Sequence, residues 1–98
     1  MRITLKIIGG FTGRAGAETH VVDVERLQAD DARRVRNLVA AVRSAALPAT
    51  IKKAAPASWD FLHELTIEDD AQTQTVRFHL DAAPPELRAL TEAVLALG

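Results

Sequence analysis

The chain opens on a strict alternation. Ile3, Leu5 and Ile7 lie on one side of residues 2–8, with Thr4, Lys6 and Ile8 on the other, the period-two pattern of a half-buried strand. Residues 18–24 repeat it with His20, Val22 and Val24 on one face. Placing Leu5 opposite Val22, Ile3 opposite Val24 and Ile7 opposite His20 puts every inward side chain on the same side of an antiparallel pair. The pattern then changes period. Val35, Leu38, Val39 and Val42 recur at helical spacing behind Asp30 and Asp31, whose charges suit a helix N-terminus, and Pro48 is expected to end that helix. Residues 48–58 show no periodicity and read as a connector. A second hairpin follows. Pairing Phe61 with Leu80, His63 with Phe78 and Leu65 with Val76 matches the apolar faces and sets Glu64 against Arg77 and Thr66 against Thr75 outside. Each outer pair contributes about 0.2–1 kcal/mol. Pro84 and Pro85 start a last helix whose stripe is Leu87, Leu90, Val94 and Leu97. The expected fold is α+β in the order ββαββα, a four-stranded antiparallel sheet with two helices packed on one face. The other face, with Thr4, Lys6, Glu64, Thr66 and Arg77, is expected to be wet, and His79 to point outward.

Ninety-eight residues make one domain, read here as residues 1–98, since two halves of that size would each bury too little. The apolar fraction of 48% is that of a globular chain, but only Phe11, Trp59, Phe61 and Phe78 are aromatic, so aliphatic residues must fill the core. A net charge of −1 supplies no strong drive toward nucleic acid or an anionic membrane. Cysteine is absent, which removes disulfides, thiolate metal sites and thiol nucleophiles. The first residues alternate and include Lys6, unlike a secretory leader, and no run reaches the ~18 apolar residues of a membrane span. The mature protein is therefore expected to be the whole chain, in the cytoplasm.

Candidate chemistry is sparse. His63-Glu64 begins a string that on a helix would suggest a zinc protease, but the fifth position is Ile67 and the segment alternates as a strand. Neighbouring strand residues face opposite ways, so His63 and Glu64 cannot share a site. His63 and His79 likewise face apart, and His20 belongs to the other hairpin. Ser44 and Ser58 lack a nucleophile elbow. Arg33, Arg34, Arg36, Arg43, Lys52 and Lys53 form a basic stretch without stacking aromatics on its helix, the pattern of a solvated face. No catalytic residue, metal site or cofactor is expected. The least ordinary feature is the connector 9–16, which holds four of the five glycines and carries Phe11. It has neither the lysine of a P-loop nor a helix directly behind it, and two readings stand: a mobile hairpin tip without function, or a recognition loop presenting Phe11 as an exposed aromatic anchor.

Several short stretches are similar to the emfourin family: Gly9-Gly10-Phe11-Thr12-Gly13, Val22-Asp23, Ala46-Leu47-Pro48-Ala49, the run from Trp59 to Asp69, and Ala83-Pro84-Pro85-Glu86-Leu87-Arg88-Ala89-Leu90. Asp69-Asp70-Ala71-Gln72, without glycine, and Arg14-Ala15-Gly16 depart from the family pattern and bear on the target more than on the fold. The resemblance implies a small proteinaceous inhibitor of thermolysin-like bacterial metalloproteases, not an enzyme, that needs no metal of its own and occupies the protease's substrate cleft. On that reading Gly9, Gly10 and Gly13 present Phe11 to the pocket that takes a bulky apolar side chain after the scissile bond, with Thr12 and Arg14 at the rim. A carboxylate touching the catalytic zinc is a competing arrangement. The other readings of the chain are a non-inhibitory protein–protein interaction module, a small enzyme built around His20 and His63, and an RNA-binding domain using the stretch from Arg33 to Lys53.

Overall fold

A computed structural model describes residues 1–9, 13–51 and 62–97, with residues 13–17 described for the backbone alone. The first hairpin is β1 (Arg2–Gly9) and β2 (Gly13–Asp23), followed by a 3-10 turn at Val24–Arg26 and helix α1 (Ala29–Ser44). Two residues, β3 (Thr50–Ile51), precede the second hairpin, β4 (Leu62–Glu68) and β5 (Thr73–His79). A 3-10 turn at Leu80–Ala82 leads into α2 (Pro85–Leu97).

The strands form one sheet in the order β2-β1-β4-β5-β3. The fold is α+β as expected, but the sheet is mixed and five-stranded instead of four-stranded and antiparallel. The fifth strand is β3, which runs parallel to β5 with Thr50 beside Arg77 and Ile51 beside Phe78. The Arg77 amide donates to the Ala49 carbonyl (2.8 Å). Two residues cannot display a period, so nothing local marks this strand; it exists because β5 offers an unpaired edge.

Inward side chains from both hairpins and both helices make one cluster. Ile3, Leu5, Val22, Leu65, Ile67, Val76 and Phe78 pack from the sheet against Val35, Val39 and Val42 of α1 and Leu87, Leu90 and Val94 of α2. Thr91 joins α2's buried face, its hydroxyl donating to the Leu87 carbonyl (2.8 Å), which satisfies a polar group that water cannot reach. Helix α1 stops before Pro48 is reached: the Ala46 amide turns back to the Arg43 carbonyl, and Ala46 takes a left-handed φ of 51° that glycine normally fills.

The β4–β5 register is the expected one, with His63 opposite Phe78, Glu64 opposite Arg77, Leu65 opposite Val76 and Thr66 opposite Thr75. Both outer pairs form bonds, Arg77 Nε to Glu64 Oε2 at 2.9 Å and the two threonine hydroxyls at 3.1 Å. Of the expected Phe61–Leu80 pair, Phe61 lies outside the described residues, and Leu80 belongs to the 3-10 segment that follows β5. The β1–β2 register differs by two residues from expectation, with Leu5 opposite His20 and Ile3 opposite Val22. A slip of two keeps every side chain on its own face, so apolar matching cannot detect it. The hairpin base decides it, because Val24 leaves the strand and its amide bonds the Met1 carbonyl (3.0 Å).

The outer face is less wet than its alternation suggests. Lys6 and Arg77 are exposed, Thr4, Glu64 and Thr66 are half-buried, and His79, though opposite in sense to Phe78, is buried beside Leu62 at the strand end.

One turn carries a titration. Asp69 Oδ1 accepts from the amides of Ala71 and Gln72 (2.9 Å each), and Oδ2 takes the Arg43 guanidinium of α1 at 2.7 Å. The Gln72 amide first, then Arg43 and the Ala71 amide, lower its pKa from 3.8 to about 2. A carboxylate held lower in the folded than in the unfolded chain stabilises above its unfolded value, and that stabilisation is lost as pH falls through the folded one. The melting temperature of the native chain should therefore exceed that of Asp69→Asn near neutral pH, with the gap closing between about pH 4 and pH 2. A gap that stays constant across this window would show that the charge on Asp69 stabilises nothing.

Candidate functional site

The glycine-bearing connector is shorter than its composition suggests. Strand β1 continues to Gly9 and β2 resumes at Gly13, and these two glycines oppose each other across the hairpin. Gly10, Phe11 and Thr12 lie outside the described residues, and Arg14 is described for its backbone alone. The register shifts between Ile7, opposite Glu18, and Gly9, opposite Gly13, so β2 spends more residues than β1 over this stretch.

The end of the sheet below the link is braced from three strands. Ile8 pairs with Leu62, Leu62 with His79, and Ile51 with Phe78, so the chain leaves β3 and re-joins β4 at the end where Gly9 and Gly13 close the hairpin. In the next row Ile7 neighbours His63, which is buried and stacks on the Phe78 ring at 5.4 Å between centroids and 22° between planes. On β2, His20 meets the Glu18 carboxylate at 3.3 Å. Ile7 and Leu62 were not among the candidate site residues of the sequence, and His63 was weighed there as a metal or enzyme candidate and not as a neighbour of the tip. Only the β1–β4 pairing brings them beneath the link, and β1 and β4 are more than fifty positions apart.

His63 and Glu64 do face opposite ways, the first into the core and the second to Arg77 outside. Among the described residues no three His, Cys, Asp or Glu side chains are grouped as a metal site would need. No described helix is long and apolar enough to cross a membrane.

The profile of one family, emfourin, matches residues 5–95, nearly the whole chain. The chain belongs to the emfourin family. Neither the curated proteins nor the solved structures compared with this emfourin contain a match. Membership implies a protease-inhibitor-type role with protease partners.

Proposed function

We propose that this emfourin inhibits a thermolysin-like zinc metalloprotease by laying the tip of its first hairpin, Gly9, Gly10, Phe11, Thr12, Gly13 and Arg14, into the substrate cleft. The observation that carries the reading is the Gly9–Gly13 pair, which closes the hairpin on a three-residue link backed by the sheet. Their pairing fixes where the binding segment leaves and re-enters the sheet, which limits the backbone freedom to be lost on association. Phe11 supplies the bulky apolar side chain, and Thr12 and Arg14 the polar contacts at the rim. The metal in this scheme is the protease's.

The test is digestion of casein by a purified thermolysin-like enzyme with increasing amounts of the domain. Activity should fall to near zero once the domain matches the enzyme. Full activity at a large excess would overturn the proposal. Co-elution of the two proteins with activity intact would do so too, and would make the chain a non-inhibitory interaction module.

A further inference from the structure

The chain between α1 and the edge of β5 is held by little. Helix α1 ends at Ser44, and the Ala45 and Ala46 amides turn back to the Ala41 and Arg43 carbonyls. Residues 47–51 then run to the sheet. Pro48, Ala49 and Thr50 are exposed, while Leu47 and Ile51 are half-buried and pack on the core. Pro48 has no amide to donate. The pairing with β5 is parallel and two residues long, Thr50 beside Arg77 and Ile51 beside Phe78, with the Arg77 amide on the Ala49 carbonyl. Each residue fixed in one conformation costs chain entropy, and here five are fixed for two partly covered aliphatic side chains and a short ladder.

The turn into this segment adds to the cost. At the φ of 51° that Ala46 adopts, its Cβ crowds the backbone as glycine would not, and Ala46 can leave that region once the segment comes off the sheet. The sheet stands without the segment, because β5 is paired with β4 along its whole length.

We propose that residues 47–51 are a strap that docks on β5 and comes off as a unit, with Ala46 as its hinge, while both hairpins and both helices stay folded. Docked, Ile51 extends the row of Phe78, His63 and Ile7 by one strand, and that row lies beneath the link of the first hairpin. Undocked, the strap bares the edge of β5 at Arg77 and Phe78 and removes the aliphatic neighbour of Phe78. The strap sets how firmly this end of the sheet is braced, whatever the tip binds.

Backbone direction makes the strap measurable. Successive amides of a strand point to opposite sides, so Arg77 donates toward the strap while Val76 and Phe78 donate toward β4. Hydrogen exchange of the full native chain at low urea reads the three side by side. The Arg77 amide should be protected, but at least about tenfold less than Val76 and Phe78. Its rate should rise little with urea while theirs climb, since opening the strap exposes little surface. Ile51→Ala should speed exchange at Arg77 at least about fivefold with the circular dichroism unchanged. Ala46→Gly, which relieves the hinge, should slow it about threefold. Equal protection and equal urea dependence at 76–78 would overturn the proposal, because the strap would then open only with the whole domain. So would an Arg77 amide with no protection at all, or one whose rate neither substitution moves.

Discussion

Phe11→Ala is expected to weaken inhibition of a thermolysin-like protease by at least about 30-fold, the loss typical of an aromatic anchor worth roughly 2 kcal/mol. The argument combines scarcity with position. The chain has four aromatic residues, and Phe78 is committed to the core. Phe11 is the one that falls between the two glycines closing the first hairpin. The contact requires a large apolar surface that leaves water only in the complex, so truncation should act on dissociation and leave the domain's own unfolding midpoint unchanged. Thr12→Ala and Arg14→Ala should each cost less, since polar groups at a rim stay partly hydrated. Inhibition constants for the three variants decide the matter. If Phe11→Ala stays within about threefold of the native domain and the Thr12 and Arg14 changes are also silent, the tip does not make the contact.

Phe78→Ala should cost about 3–5 kcal/mol of folding stability, a large share of the roughly 5–15 kcal/mol that holds a domain together. Phe78 is fully buried on β5, pairs with His63 on β4 and with Ile51 on β3, and stacks on the His63 ring. Its removal empties a ring-sized volume and strips the apolar cover from a buried imidazole at the same time. Phe78→Leu keeps most of the volume and should cost markedly less. Urea unfolding of the three proteins gives the comparison. A loss below about 1 kcal/mol for the alanine variant would mean that the neighbours collapse into the space. Because β3 and the end of β4 both lean on this residue, amides at Ile51 and Leu62 should lose exchange protection first.

Much of this architecture was legible in the residues. Both long helices announce themselves through stripes at helical spacing, and the β4–β5 register is over-determined: one alignment satisfies the apolar pairs, Glu64 with Arg77, and Thr66 with Thr75 together. The β1–β2 register was not legible. Its outer face carries no comparable pair of opposite charges along the middle of the strands, and a two-residue slip exchanges one inward side chain for another without moving any to the wrong face. The candidate tip was visible as a glycine cluster, but its length was not. Gly13 to Gly16 read as loop because three of the four residues are glycine or alanine and carry no alternation, yet they belong to β2.

Local pattern settled which segments become helix or strand and which face of each turns inward, because periodicity is a property of consecutive residues. The partners of those segments came from contacts between distant ones. Thr50 and Ile51 are a strand because β5 was left with a bare edge, and His63 is covered because Phe78 packs beside it. Gly9 and Gly13 close a short tip because β1 is pinned along β4 and β2 along β1. Such pairings depend on which backbone edge lies unpaired and within reach once the sheet assembles, and no single stretch of residues carries that information.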